Sequence, residues 1–198
     1  CILRFLARLA FSLYWALLND EAPAMLILLT GSTGFLGSRL LPLLRARGHR
    51  VLCAGRRQQP GCDFVAADFA HDNEKSKWAA RLSGVDVVIN TVGIIRETPG
   101  QTFARLHTET PCALFAACVD ARVRLVIQVS ALGADAAATT PYHLSKKAAD
   151  DFLAALPVRS RIVQPSLVYG PEGASARMFR TLATMPFAVR FGREPQPV

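Results

Sequence analysis

The sequence predicts an α/β fold, a doubly wound parallel sheet with helices on both faces. Short apolar runs recur along the chain from residue 25, and stretches with helical spacing separate them. The runs are continuous rather than alternating in polarity, which indicates strands that are buried on both faces. Strand–helix–strand units with right-handed crossovers then form one parallel sheet.

Each apolar run of strand length is bounded by turn residues, and this defines the elements in order. The predicted strands are LILLT (26–30), VLCAG (51–55), FVAAD (64–68), VDVVIN (85–90), RLVIQVS (124–130) and SRIVQPS (160–166). The predicted helices between them are FLGSRLLPLLRARG (35–48), a polar stretch around 73–82, residues 102–119 and residues 141–155. The last helix has the clearest start, because Thr140 suits an N-cap and Pro141 suits the first helical position.

Three segments follow from this reading of the chain. Residues 25–164 form the domain, and residues 165–198 begin a further region that we expect to be truncated. Residues 1–24 precede the domain, and their first 18 residues are apolar apart from Arg4, Arg8 and Ser12 on one helical face. This extension is an interfacial helix in contact with a membrane surface, a targeting segment, or a stretch with no role in the domain.

Charge and cysteine content limit the partners that we expect. The net charge is +8, but the arginines are spread along the chain and only four of the 23 basic residues are lysine, which argues against a nucleic-acid partner. The five cysteines and four histidines are dispersed without metal-ligand spacing, so we expect no metal site. Cysteines that are scattered and odd in number are typical of a reducing compartment, and the expected location is the bacterial cytoplasm, with a membrane-peripheral position as the alternative.

The segment TGSTGFLG places glycines at 31, 34 and 37, directly between the first strand and the first helix. In that context Gly31 permits a tight turn, Gly34 lets the backbone approach a pyrophosphate, and Gly37 lets the helix pack close to the strand. The free N–H groups at the helix start then bind phosphate. We therefore assign dinucleotide binding to this turn, with the full set Gly31, Thr33, Gly34, Phe35, Leu36 and Gly37.

The end of the second strand indicates which dinucleotide is bound. NAD-binding proteins usually carry an acid there for the ribose 2′-hydroxyl, whereas this chain has Arg56 and Arg57. A guanidinium suits a 2′-phosphate, which favours NADP(H) over NAD(H). The alternative is a pair of solvated loop arginines.

Six segments in a fixed order carry a family resemblance. They are TGSTGFLG, AADF (66–69), NTVG (90–93), VSALGAD (129–135), YHLSK (142–146) and QPSLVYGPEG (164–173). From residue 25 to about 173 the chain resembles the short-chain dehydrogenase/reductase superfamily, in its extended and atypical NAD-dependent epimerase/dehydratase-like branches, which have a Rossmann-type sheet. It looks most like the group of the dehydrogenase-like accessory subunit of respiratory complex I and its bacterial relatives.

The resemblance implies roles for several cofactor-side residues. Asp68 would hydrogen-bond the adenine amine, and Phe69 would flank the adenine ring. Thr91, Val92 and Gly93 would line the two riboses. Pro165 and Ser166 would turn the chain past the nicotinamide. Plainer alternatives are a strand-end cap for Asp68 and a core position for Val92.

Tyr142 and Lys146 lie one helical turn apart on one face. The resemblance implies that Tyr142 exchanges a proton with the substrate, while Lys146 holds the nicotinamide ribose and lowers the pKa of the phenol. The third catalytic residue would be Ser130. A relative usually has its hydroxyl one residue later, where this chain has Ala131, and side chains alternate along a strand, so the Ser130 hydroxyl can point away from the substrate.

Two further positions bear on the catalytic set. Thr139 and Thr140 are candidate substitutes for the Ser130 hydroxyl. His107 stands where relatives often have Asn. Both points leave the catalytic set incomplete or shifted relative to the family pattern.

The sequence is compatible with two functions. The first is an NADP(H)-dependent oxidoreductase or epimerase that acts at a carbonyl or hydroxyl-bearing carbon of an unknown small molecule. The second is a non-catalytic NADPH-binding module that stabilises an assembly, either a respiratory complex or a homo-oligomer. A cofactor-sensing regulator is a weaker third reading, because such proteins often lose the Tyr–Lys pair.

Overall fold

The structure is a computed structural model that describes residues 23–59 and 61–166. Two of the predicted segments fall elsewhere in the chain. The N-terminal helix at 1–18 and the substrate region beyond Ser166 lie outside the described residues, and both stay predictions.

Six parallel strands form one sheet, which confirms the predicted fold class. They are β1 (Leu26–Thr30), β2 (Arg50–Gly55), β3 (Asp63–Ala66), β4 (Val87–Asn90), β5 (Leu125–Val129) and β6 (Ser160–Val163). The order across the sheet is β3-β2-β1-β4-β5-β6. The chain therefore builds outward from β1 in one direction and then returns to build in the other, and the direction changes between β1 and β4. Ligands of open α/β sheets bind at such a point, beyond the carboxyl ends of the strands.

Helices cover both faces of the sheet. They are α1 (Gly37–Ala46), α2 (Ser76–Ala79) with a 3₁₀ turn (Ala80–Leu82), a π-helix (Ala104–Glu109), α3 (Thr110–Asp120) and α4 (Pro141–Ala155). Within the described ranges, no helix has the length and apolar character needed to cross a membrane.

The predicted helix at 102–119 is divided in the structure. Its first part is the π-helix Ala104–Glu109, and regular α-helix begins only at Thr110. Pro111 explains the division, because it has no N–H group and its ring would clash with the carbonyl of residue 107 in a continuous α-helix.

Several strands are shorter than the apolar runs predicted. The third strand ends at Ala66 rather than at Asp68. Asp68 lies in a turn, where its carboxylate accepts a hydrogen bond from Ala70 N at 3.0 Å and its own N–H donates to Asp72 at 2.7 Å. These local bonds replace the sheet ladder and lead the chain away from the sheet.

The core lies in two layers, one on each face of the sheet. Alternate residues of one strand serve both: Leu28 belongs to one layer, and Ile27 and Leu29 belong to the other. Trp78 and Phe115 are fully buried in the first layer, and α1 covers the second. Burial on both faces explains why the strands are continuous apolar runs.

Candidate functional site

A cleft of about 710 Å³ lies at the carboxyl ends of β1 to β4. It occupies the place where the strand order changes direction. Ten residues that the sequence predicts for cofactor binding line it: Gly31, Thr33, Gly34, Arg56, Arg57, Asp68, Phe69, Thr91, Val92 and Gly93. The fold thus brings together residues that lie far apart in the sequence.

The glycine turn packs tightly against its surroundings. Gly31 has φ of +72°, and a Cβ atom there would lie 2.6 Å from Thr91 Oγ1. Gly34 N donates to Gly31 O at 2.8 Å, which closes the turn. Gly37 begins α1 rather than lining the cleft, and its Cβ would lie 2.2 Å from Gly31 O. Phe35 and Leu36 precede α1 and are also set back from the cleft lining. The predicted close approach of helix and strand is therefore present at Gly37.

Arg56 and Arg57 follow β2 and are both exposed at the cleft. Within residues 23–59 and 61–166, neither guanidinium has a hydrogen bond or an ion pair. Both side chains are therefore free to meet a ligand phosphate.

Phe69 departs in part from its predicted role beside the adenine. It is 7% exposed, and its ring packs edge-on against Trp78 with the ring centres 5.6 Å apart. Thr110 Oγ1 donates to Phe69 O at 2.7 Å and fixes the backbone. Most of the phenyl ring is thus core, and only part of the residue borders the cleft.

A buried polar network around Asn90 holds the loop after β4, and the sequence alone assigned Asn90 no role in it. Asn90 Oδ1 accepts from Thr30 Oγ1 at 2.6 Å and from Val92 N at 3.2 Å, and Asn90 Nδ2 donates to Gln128 Oε1 at 2.7 Å. Thr91 Oγ1 donates to Thr30 O at 2.7 Å. The sequence feature that indicates this network is the asparagine that ends an otherwise apolar strand, since a buried amide needs hydrogen-bond partners.

Helix α4 carries Tyr142 and Lys146, and of the two Lys146 contacts a residue that lines the cleft. Thr140 Oγ1 accepts a hydrogen bond from His143 N at 3.2 Å, so the predicted N-cap is confirmed. Lys146 is 4% exposed, and its Nζ donates to Val92 O at 3.3 Å and to Val129 O at 3.2 Å. The lysine therefore joins α4 to the loop that lines the cleft.

The electrostatics of the pair differ from the prediction. Burial lowers the pKa of Lys146 to about 8, and the nearby Asp150 carboxyl partly offsets this. Burial raises the pKa of the Tyr142 phenol, which is opposite in direction to the lowering that the resemblance implies, and a lowering by Lys146 stays a prediction for the site with its cofactor. The ammonium donates to two backbone carbonyls, and the rise in the phenol pKa is caused by burial.

Ser130 does not face the cleft. It is 5% exposed, and its hydroxyl donates to Asp150 Oδ2 on α4. Thr140 is engaged as the helix cap and Thr139 is exposed. The catalytic role assigned to Ser130 stays a prediction.

The predicted turn residues Pro165 and Ser166 follow β6, and Pro165 contacts the loop between β5 and α4. Pro165 O accepts from Leu132 N at 2.9 Å, and Ser166 is exposed. Their role beside the nicotinamide stays a prediction. Groups of three or more potential metal ligands do not occur within the described ranges.

Gly93 is expected to tolerate no methyl group without a loss of ligand affinity. A Cβ there would lie 3.1 Å from Lys146 Nζ and 3.6 Å from His107 Nε2. Lys146 can move more easily than backbone, so Gly93→Ala should fold while displacing the ammonium. We expect the predicted dinucleotide to bind about tenfold more weakly, because a hydrogen bond to a charged group contributes about 1.5–3 kcal/mol. Fluorescence titration checks this. Gly84→Ala is the control for affinity, because its φ of +69° makes the substitution strained while the added Cβ meets no atom within 4 Å and lies away from the cleft.

Comparison with known proteins identifies a family and similar proteins that agree with the observed fold. The model of a family described as "NAD dependent epimerase/dehydratase family" matches residues 27–186. Ceramide reductase of Caulobacter vibrioides is 27% identical over 168 residues, which cover 81% of this chain and 52% of the reductase. The chain thus spans about half the length of that relative.

Solved structures share the fold. The crystal structure of the oxidoreductase ylbE from Lactococcus lactis is 25% identical with a TM-score of 0.61, over 71% of this chain and 68% of that one. The enzyme WbmH of Bordetella bronchiseptica, solved in complex with NAD⁺, has a TM-score of 0.66 at 17% identity, over 81% of this chain and 63% of WbmH. The second likeness concerns the fold alone.

Proposed function

Because this chain belongs to the NAD dependent epimerase/dehydratase family, we propose that it is an NADP(H)-dependent oxidoreductase or epimerase acting at a carbonyl or hydroxyl-bearing carbon. The observation that carries the proposal is the placement of Lys146. Its buried ammonium donates to Val92 O in the loop that lines the cleft, one helical turn from Tyr142. A cation thus lies beside a cleft lined by the residues predicted for a dinucleotide, and a candidate proton donor follows one helical turn away.

The residues of the cleft fit a nicotinamide dinucleotide. A Cβ at Gly34 would meet only Gly31 O within 4 Å, at 3.1 Å, so the side of this glycine away from the turn is open to a ligand. Absence of a side chain there lets a pyrophosphate approach the backbone N–H groups at the start of α1. Asp68 and the loop Thr91–Gly93 would border the adenosine and the riboses.

The chemistry of the site then divides between the ligand and two side chains. A bound nicotinamide supplies or accepts the hydride. Tyr142 gives a proton to the carbonyl oxygen in reduction and removes it from the hydroxyl in oxidation. Lys146 would hold the ribose through its remaining N–H donor, and its positive charge would favour loss of the phenol proton.

The preference for NADP(H) is assigned to Arg56 and Arg57. In an Arg56→Ala/Arg57→Ala variant we expect the Kd for NADPH to rise by about 30-fold or more, because two charge-assisted hydrogen-bonding groups are lost. The Kd for NADH should change by less than about threefold, since NADH carries no 2′-phosphate. Parallel fluorescence titrations with both cofactors measure the two constants.

The control removes the same charge elsewhere. Arg159 and Arg161, at the opposite edge of the sheet beside β6, are also exposed. Their double alanine variant should bind NADPH like the wild type. An undiminished preference for NADPH in the Arg56/Arg57 variant contradicts the assignment, whereas no binding of either cofactor by the wild type contradicts the proposed function itself.

A second candidate function rests on Ser130. Its hydroxyl is buried against Asp150, and Ala131 offers none in its place. A site that lacks this hydroxyl suits a module that holds NADPH without turnover, in an assembly like that of the complex I accessory subunit or in a homo-oligomer. A protein that binds NADPH yet oxidises none of it with a broad set of carbonyl compounds and sugar nucleotides would favour this candidate.

A further inference from the structure

His107 is a fully buried polar side chain beside the candidate site. It lies in the π-helix Ala104–Glu109 and has a relative exposure of 0%. Its ring contacts the loop after β4 through Ile94 and helix α4 through Ser145. The widened turn of a π-helix often occurs at functional sites. The residue therefore connects the two segments that would hold the cofactor and the acid/base.

The hydrogen bonds determine which ring nitrogen carries the proton. Ile94 N donates to His107 Nε2 at 3.0 Å, so Nε2 must be the unprotonated acceptor. A neutral imidazole then carries its proton on Nδ1. Nδ1 lies 3.0 Å from Ser145 Oγ, and this hydroxyl donates to Tyr142 O at 2.8 Å. The result is a directed chain from Nδ1–H through the hydroxyl to the backbone of the tyrosine.

Aromatic contacts fix the orientation of the ring. Phe103, one turn earlier, stacks on the imidazole at 5.2 Å with an angle of 24° between the planes. Tyr142 meets the imidazole edge-on at 5.4 Å and 85°. The same imidazole thus touches both the backbone turn and the ring of the tyrosine.

The surroundings favour the neutral ring. Burial, with the nearby Lys146 charge, lowers the pKa of His107 to about 3. Lys146 and Tyr142 are the titratable groups of α4 that face it. A second proton on Nε2 would also oppose the Ile94 N–H group. The ring therefore keeps one protonation state across the pH range in which most enzymes work.

We propose that His107 is a positioning residue that, as the fixed Nδ1–H tautomer, holds the cofactor loop at Ile94 in register with the turn that carries Tyr142. The inference rests on the proposed function, since it concerns how the two halves of that site are aligned. The imidazole supplies an acceptor on one side and a donor on the other, at the spacing of its two ring nitrogens. The test therefore needs variants that keep either the acceptor or the donor of the imidazole and lose the other.

Replacements of His107 can retain one bond at a time. A glutamine oxygen reaches the place of Nε2, so His107→Gln keeps the acceptor for Ile94 N–H. An asparagine amide reaches the place of Nδ1, so His107→Asn keeps the donor to Ser145. We expect NADPH affinity within about threefold of wild type for the glutamine variant and a loss of about tenfold for the asparagine and phenylalanine variants, the size of one buried hydrogen bond.

The matched control is a buried histidine at the amino ends of β1 and β2, away from the cleft at their carboxyl ends. His49 is 5% exposed, and its Nδ1 accepts from Met25 N at 3.5 Å near the start of β1. His49→Phe should lower stability without changing the Kd for NADPH. A merely structural role for His107 predicts that affinity follows the stability of each variant, rather than the retained acceptor.

A second measurement needs neither activity nor a bound cofactor. Nitrogen NMR of the imidazoles in the wild type should show His107 with a protonated Nδ1, a bare Nε2 and no titration between pH 5 and 8, a range chosen around the ordinary histidine pKa of about 6.5. Ser145→Ala, which removes only the hydroxyl, should alter the Nδ1 signal and leave Nε2 as it is.

The outcomes distinguish this inference from the function on which it rests. An Nε2–H tautomer, a pKa near the ordinary value, or an unchanged NADPH affinity in His107→Phe overturns the positioning role alone. Failure of the wild type to bind NADPH or NADH overturns the proposed function and this inference with it. If the variants do not fold, the wild-type and Ser145→Ala spectra still decide the tautomer.

Discussion

Replacement of Tyr142 by phenylalanine is expected to lower turnover by about 10²–10⁴-fold, the usual contribution of a positioned acid/base. The substitution removes one hydroxyl and keeps the ring, so the edge-on contacts with Phe103 and His107 persist. NADPH affinity should therefore change by less than about threefold, because less than about one hydrogen bond to the ligand is lost. Oxidation of NADPH, followed by absorbance with carbonyl compounds and sugar nucleotides, measures turnover.

Neighbouring lysines provide a matched pair for this experiment. Lys146→Ala should impair both turnover and NADPH binding, since the buried ammonium serves the ribose and the phenol. Lys147, whose side chain is 31% exposed and forms an ion pair with Asp151, should have no effect when replaced by alanine. Equal turnover in wild type and Tyr142→Phe would contradict the catalytic assignment and favour the non-catalytic module.

The raised pKa of the phenol also sets the sign of the pH dependence. At neutral pH the hydroxyl is protonated, which suits donation to a carbonyl oxygen. Reduction should therefore keep its rate only until the pH approaches about 8, where Lys146 loses its proton, and it should fall further near the phenol pKa. Oxidation needs the phenolate, so its rate should rise as the pH approaches the phenol pKa.

Replacement of Gly37 by alanine is expected to destabilise the fold by about 3 kcal/mol or more, at the upper end of the cost of overpacking. The added Cβ would lie 2.2 Å from Gly31 O, 2.7 Å from Gly31 C and 2.8 Å from Ser32 Cα. All three are backbone atoms of the turn between β1 and α1. Relief of the clash thus requires α1 to move away from the sheet and its buried leucines with it.

Urea denaturation of Gly37→Ala and wild type gives the difference in the free energy of unfolding. Gly55→Ala is the control for stability, because no atom lies within 4 Å of its added Cβ. It should change stability by less than about 1 kcal/mol. A Gly37→Ala variant as stable as wild type would show that the helix does not rest on the turn as described.

The parallel sheet could be predicted from the sequence because strands that are buried on both faces consist of continuous apolar residues. Continuous apolar runs such as the one that became β1 have no other common explanation when helices separate them. The glycine turn and the cap at Thr140 were equally readable, since each depends on a local backbone requirement. Most of the fold could therefore be predicted from local backbone requirements and from the burial of the strands.

Features that depend on contacts between distant segments were not readable in the same way. The π-helix differs from an α-helix by one residue per turn, which apolar spacing over six residues cannot resolve. The tautomer of His107 follows from Ile94, and the orientation of Ser130 follows from Asp150 on another element. The raised pKa of the Tyr142 phenol follows from its burial in the folded chain, which local sequence patterns do not reveal.

The position of β1 in the middle of the sheet has a consequence for how the chain reaches this structure. Its partner on one side is close in sequence, with Met25 and His49 only 24 residues apart, whereas Thr30 and Asn90 on the other side are separated by 60 residues. Closing a longer loop costs more chain entropy before any contact forms. We therefore expect the β1–β2–β3 half to assemble first on the ribosome, and the cleft to acquire its second wall only after β4 has been synthesised.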